Sequence, residues 1–177
     1  MNARLESVYA TVVLALVLGT VARTAGAEWT FITFDDLPAT TSAAVPHGYN
    51  GLTWYSFHYL DPVLTYGSHL NGYQVGMVSP SNVAYNSGGS SASIASNSPF
   101  NFASAYLTAA WNDHMQVEAI GYAGASLIYD NTYLLSATVP TLINFNYWGV
   151  TAVSFNPIAA HLARATTAQA INSYWTT

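Results

Sequence analysis

Ile143-Asn144-Phe145-Asn146-Tyr147 reads apolar, polar, apolar, polar, apolar. Only an extended chain sends alternate side chains to opposite faces, so this run predicts a strand with Ile143, Phe145 and Tyr147 toward a core and the asparagines toward water. The same period of two recurs over residues 52–59, where Leu52 and Trp54 are expected on one face and Tyr55, Phe57 and Tyr59 on the other. Further strands are predicted over 29–34, 73–78, 82–86, 105–111, 115–122, 127–135 and 150–155, stretches rich in Tyr, Phe, Val and Thr, which fit a pleated, half-buried surface. Turn-forming clusters separate them at 38–46, 47–51, Asn71-Gly72, 87–99, Asn112-Asp113 and Asp130-Asn131. Eight or nine such strands predict an all-β, antiparallel sandwich. A jelly-roll-like order is preferred because pairs such as Phe31-Ile32 and Leu134-Leu135 are apolar on both sides; an up-and-down barrel is the open alternative. The Ser-rich stretch 87–99 is expected to be a surface loop, or an irregular edge strand around Ile94.

Both ends of the chain differ from this middle. Residues 1–27 have the build of a secretory signal peptide: Arg4 leads, Val8 to Leu18 is apolar but short for a membrane span, and Ala25-Gly26-Ala27 offers a cleavage site before Glu28. A membrane anchor is the competing reading. The sandwich domain is expected over 28–157. In the tail, 158–177, Ala is abundant and Ile158, Leu162, Ala165, Ile171 and Trp175 recur near helical spacing, which suits a short helix.

Only 6% of the 177 residues are charged, against roughly a quarter in ordinary soluble chains. There is no Lys, and the three arginines are Arg4, Arg23 and Arg164. Such a chain cannot hold nucleic acid by neutralising phosphates, nor an anionic membrane surface through a basic stretch. After cleavage one Arg faces seven acids, a net charge of −6. The absence of cysteine removes disulfides, thiol nucleophiles and thiolate metal sites, and about 150 residues bury enough surface to fold without staples. No Asn-x-Ser/Thr acceptor occurs, since Asn97-Ser98-Pro99 fails the pattern.

Three stretches are distinctive in composition and order: Thr-Phe-Asp-Asp-Leu-Pro at 33–38, Pro-His-Gly-Tyr-Asn-Gly-Leu-Thr-Trp at 46–54, and Val-Ser-Pro-Ser-Asn-Val-Ala-Tyr-Asn at 78–86. The most specific is Phe-Asn-Phe-Ala-Ser-Ala-Tyr-Leu-Thr-Ala-Ala-Trp-Asn-Asp at 100–113, followed by Gly-Val-Thr-Ala-Val-Ser-Phe at 149–155. Across 33–157 the chain resembles a group of small secreted proteins of bacteria and filamentous fungi, many bacterial members of which carry a C-terminal PEP-CTERM sorting signal. The resemblance implies an extracellular β-sandwich and implies no enzymatic activity. The sorting signal is absent here, so anchoring by that route is not expected. Such proteins also close with a strand ending in Asp-Asn, to which nothing after Asn156 corresponds. Either the Ala/Thr-rich tail replaces that strand, covering the exposed sheet edge, or the reading frame is altered there.

Without basic side chains, the sandwich has rings, amides, hydroxyls, imidazoles and carboxylates to bind with. Trp54, Tyr55, Tyr59, Tyr66, Tyr73 and Trp111 lie near His58, His69, Asn71, Asn112, Asp113 and His114 in sequence. Aromatic faces stack on the C–H faces of sugars while amides, acids and imidazoles bond the hydroxyls. The expected ligand-binding set is therefore Trp54, Tyr55, Tyr59, Tyr73, Trp111, Asn112, Asp113 and His114, although such rings also serve as core. Twenty-four aromatics in the 150 residues after the signal exceed what a core of this size needs. Asp35 and Asp36 could share a structural calcium if the chain turns at Leu37-Pro38; capping of that turn by the carboxylates is the alternative. His47, His58 and His69 lack the paired spacing of a zinc site. Asp113 and Glu118 are the carboxylates nearest to a glycosidase pair, which needs roughly 5–9.5 Å between them. No nucleophile elbow, phosphate loop or Schiff-base lysine exists. The expectation is a non-catalytic module for a neutral glycan, with a structural matrix protein and a glycoside hydrolase as second and third readings. The sequence leaves the oligomeric state open.

Overall fold

A computed structural model gives the backbone of residues 12–19 and 29–158, with side chains described from residue 30. Among the described residues it contains, besides two single 3-10 turns, ten strands and two short α-helices. In chain order these are β1 (Val12–Gly19), β2 (Trp29–Ile32), β3 (Ala43–Ala44), β4 (Thr53–Tyr55), β5 (Phe57–Leu60), α1 (Pro62–Tyr66), α2 (Gly72–Val75), β6 (Val83–Asn86), β7 (Ala92–Ala109), β8 (Met115–Ala123), β9 (Ser126–Leu135) and β10 (Thr141–Ile158). All pairings are antiparallel, in the order β3-β5-β6-β1-β7-β10-β8-β9, with β2 beside β1 and β4 beside β7. Apart from β1 and β2, the strands form a three-stranded sheet, β3-β5-β6, and a five-stranded sheet, β4-β7-β10-β8-β9. The protein is all-β and sandwich-like.

The sandwich closes because β7 and β10 bend. Phe145 and Phe155 lie on one strand, ten residues apart, yet their ring centroids are 6.0 Å apart. A straight strand would separate them by about 33 Å, so β10 folds over on itself. The register slips between Asn144 and Tyr147, between Tyr147 and Val150, and between Val150 and Ala152. Asn146 and Gly149 supply the bulges with φ of 52° and 69°. On β7 the matching excess is Ser96 to Pro99, and Pro99, which has no N–H to give, sits where the ladder is broken. The fold-over brings Phe57, Phe102 and Phe145 against Phe155 edge to face at the centre of the core, with Phe102 and Phe145 tilted on each other.

The predicted alternation at 143–147 is observed: the three apolar residues are buried and both asparagines exposed. Three stretches depart from expectation. Leu52, Trp54, Phe57 and Tyr59 are all buried, because Ser56 adopts φ of 57° and reverses the side-chain phase. As a result β4 pairs with β7 and β5 with β6, so one predicted strand serves two sheets. Of the two readings of 87–99, the irregular strand around Ile94 is the one formed, from Ala92 onward, but it is no edge: Ala92 and Ile94 are buried in β7, with β4 on one side and β10 on the other. The strand predicted over 73–78 begins instead as α2, because Asn71 Oδ1 accepts the N–H groups of Tyr73 and Gln74 and nucleates a helical turn. Val12–Gly19, expected within a signal peptide, forms β1, paired on both edges. The rest of the 1–27 segment and the tail beyond Ile158, with its expected helix, lie outside the described residues.

Candidate functional site

The eight expected ligand-binding residues divide between the core and the surface. Trp54 is 2% exposed and packs edge-on against Phe34 and Phe57, with its Nε1–H donating to Tyr49 O at 2.9 Å. Tyr59 is buried in the same core. Neither ring can stack on a ligand, and the shared reason is the phase reversal at Ser56. Trp111, by contrast, is 53% exposed, and Tyr55 is 51% exposed.

Trp111 stands at the end of β7 on a platform built by the α1–α2 segment. Asp61 caps α1, its Oδ1 accepting from Val63 N and Leu64 N at 2.8 and 3.0 Å, with Pro62 in the first turn. Asn71 caps α2 as described. Gly72 N–H donates to Ala110 O at 2.8 Å, and a Cβ on residue 72 would lie 1.8 Å from Ala109 O. Only glycine lets α2 come this close to the strand. That approach puts Tyr73, buried, beneath Trp111 at 5.7 Å and 70°, while Tyr66 meets the same indole at 5.6 Å and 88°. The two tyrosines stack on each other at 5.3 Å. Burial, then the neighbouring Tyr85, raises the Tyr66 pKa, so its hydroxyl stays neutral.

The ring contacts continue across β6 and β5. Tyr73 meets Tyr85 at 5.4 Å, and Tyr85 meets His58 at 6.0 Å. Ser42 Oγ joins the last two, 2.7 Å from Tyr85 Oη and 3.3 Å from His58 Nδ1. His58 opens on a cavity of about 280 Å³ lined also by His47, Tyr55 and Ser56. His47 and Tyr55 meet there at 5.8 Å and 63°. Tyr85 and His47 were outside the expected set. The only sequence signal for Tyr85 is its place in the strand expected over 82–86.

Asn112, Asp113 and His114 follow Trp111 directly and are exposed. Asp113 Oδ1 accepts Ala137 N–H at 2.9 Å, and its other oxygen lies 3.3 Å from His114 Nδ1. The Ala137 N–H first, then the Ser136 hydroxyl and His114, lowers the Asp113 pKa. A shallow cavity of about 230 Å³ opens between this turn and Leu134, Ser136 and Thr141. Glu118 is committed elsewhere, accepting Asn156 Nδ2–H at 2.9 Å, so the two carboxylates considered for hydrolysis have separate partners.

Asp35 and Asp36 also diverge. Asp35 Oδ1 accepts Asn82 N–H at 3.1 Å, while Asp36 accepts the Tyr49 hydroxyl. Burial, with Asp36 next, pushes the Tyr49 pKa well above the ordinary tyrosine value. Asn82 is buried and donates through Nδ2 to Phe34 O and Leu37 O, both at 2.9 Å, closing the turn. Among the described residues no three His, Cys, Asp or Glu side chains gather as a metal site would require. No family model, curated protein or solved structure matches the chain.

Proposed function

We propose that this chain is a secreted, non-catalytic binding module for a neutral ligand, with glycan as the ligand class. The observation that carries this reading is Trp111: a large apolar face, half exposed, held rigid edge-on by Tyr66 and Tyr73. Three hydrogen-bonding side chains follow it in the chain. A ring fixed this way loses little side-chain entropy when a sugar stacks on it. Tyr55, with His47 and His58, lines a separate cavity that offers a second contact. With no Lys, and no Arg between residues 28 and 158, anionic ligands find no basic partner. The residue-level likeness over 33–157 and the export signal at 1–27 support an extracellular place for the module, outside any membrane. The bends of β7 and β10 at the register shifts of their pairing support the jelly-roll-like order of the sandwich.

A glycan array followed by calorimetry tests this. Binding to at least one neutral polysaccharide is expected, weakened at least about tenfold, or about 1.4 kcal/mol, by Trp111→Ala. No binding to any polysaccharide, with self-association at micromolar concentration, would overturn it in favour of a structural matrix protein. Leu127, Ile128 and Leu134 on β9, with Leu142 and Trp148 on β10, are the exposed apolar residues that favour that second reading.

A further inference from the structure

β1 occupies a slot that no other described strand closes. On one side it pairs with β7 along its whole length, from Val12↔Ala109 to Gly19↔Asn101. On the other it pairs first with β6, through Val13↔Tyr85 and Leu14↔Ala84, and then with β2, from Leu16↔Ile32 to Gly19↔Trp29. Neither β6 nor β2 pairs with β7, so β1 is the hydrogen-bonded link between the three-stranded and five-stranded sheets. Without it, β6 and β7 would face each other across about twice the strand spacing of 4.8 Å, each with a row of unpaired backbone groups.

The wall of the slot states what it accepts. Of Asn101 to Ala109 on β7, all but Ser104 and Tyr106 are buried, so this strand is covered on both faces. A strand beside it lies under the same cover and must be apolar at successive positions rather than alternate ones. Charge is disfavoured and proline excluded, since both edges need its N–H groups. Val12–Gly19, Val-Val-Leu-Ala-Leu-Val-Leu-Gly, meets every condition. The same segment supplies most of the apolar run, Val8 to Leu18, expected as the core of an export signal, so one segment satisfies two demands.

We propose that the slot between β6 and β7 is a strand-acceptor site, which export opens to an extended, uncharged, proline-free apolar segment of a partner polypeptide, bound antiparallel to β7. The proposal rests on the secreted reading, in which a peptidase hydrolyses the Ala27–Glu28 amide with one water and removes β1. Binding is then β-augmentation from both edges, with main-chain hydrogen bonds supplying affinity and burial supplying selectivity.

The test uses two preparations. One is the exported protein, its N-terminus determined by mass spectrometry; the other is the full chain with a protease site placed between residues 20 and 28, cut after folding. The probe is the Val12–Gly19 peptide, solubilised by lysines beyond its C-terminal end and labelled. Saturable one-to-one binding to the exported protein, and exchange into the cut full chain, are expected. Probes with Ala15→Pro or Leu14→Lys should bind at least about tenfold more weakly. An exported protein that starts at Glu28, is folded and ignores the probe overturns the proposal, whether the slot is filled by its own tail or by a second copy. Equal binding of the Pro and Lys probes overturns it as well. An exported protein that retains residues 1–27 defeats the secreted reading instead, and exchange into the cut full chain then decides the slot separately.

Discussion

Trp54 and Trp111 are placed in similar ways and used in opposite ones. Each meets neighbouring rings edge-on at 5.4 to 5.7 Å. Trp54 is 2% exposed and gives its N–H to a backbone carbonyl, while Trp111 is 53% exposed. Around Trp54 the rings are Phe57 on β5, Phe34 in the bend after β2 and Tyr49 in the turn before β4, so it joins parts of the chain distant in sequence. Around Trp111 they come from α1 and α2, a short insertion laid against the end of β7. The same ring geometry holds a core together in one place and presents a surface in the other. What separates them is whether the second sheet lies on top.

The largest expected effect follows from that difference. Trp54→Ala should cost about 3–5 kcal/mol, because the cavity is bounded by strands that cannot collapse into it. Trp111→Ala removes ring contacts worth about 1 kcal/mol at a site already open to water. Urea unfolding of both variants measures the contrast, and similar losses would erase it.

Gly72→Ala should produce the next largest change. The added Cβ meets Ala109 O at 1.8 Å, and Ala109 C and Ala110 Cα at 2.7 Å, all backbone atoms that no side-chain rotation can move. The α1–α2 segment has to lift, at a cost of about 1–3 kcal/mol, and Tyr73 and Tyr66 lift with it. Near-ultraviolet circular dichroism should lose the Trp111–tyrosine coupling while the Trp54 core is retained. Loss of both signals together would mean that the platform and the core unfold as one unit.

The sequence showed a burial pattern wherever one face of a strand meets the core and the backbone keeps its phase. That is true of 143–147 and of 115–119, where Met115, Val117 and Ala119 are buried. It fails over 52–59, because the φ of Ser56 is a backbone choice that no side-chain pattern announces. Over 87–99 it left loop and irregular strand both open for a different reason: Ser and Ala resemble loop composition, yet small residues let Ala92 and Ile94 sit in the core beside large rings. Over 73–78 a helix of four residues is too short to display a period, and only the Asn71 cap was visible, read as a turn. For the site, Trp111 and the Asn112-Asp113 turn were legible as an aromatic at a strand end. That Trp54 is buried and Tyr85 bridges Tyr73 to His58 depends on which strands pair, which a single chain does not display.

The smallest effect concerns pH, and it falls on the surface side of the comparison alone. Asp113, next to the Trp111 platform, accepts Ala137 N–H, and that bond first of all holds its folded pKa below the ordinary value of 3.8. A carboxylate whose pKa falls on folding contributes stability that is full above the unfolded value and disappears as pH drops through the folded one. Asp113 and its partner His114 both lie at the surface, so water and salt screen the contribution. Asp113→Asn copies the protonated state at every pH. The thermal midpoints of the two proteins should therefore differ slightly at neutral pH and converge as pH falls below about 3.8, the ordinary value. Trp54→Ala, which removes no titrating group, should keep a constant gap from the parent protein over the same range. A constant gap for Asp113→Asn would mean that the amide's shape rather than the lost charge sets the difference. The turn after Trp111 would then owe its hold to the Ala137 hydrogen bond alone.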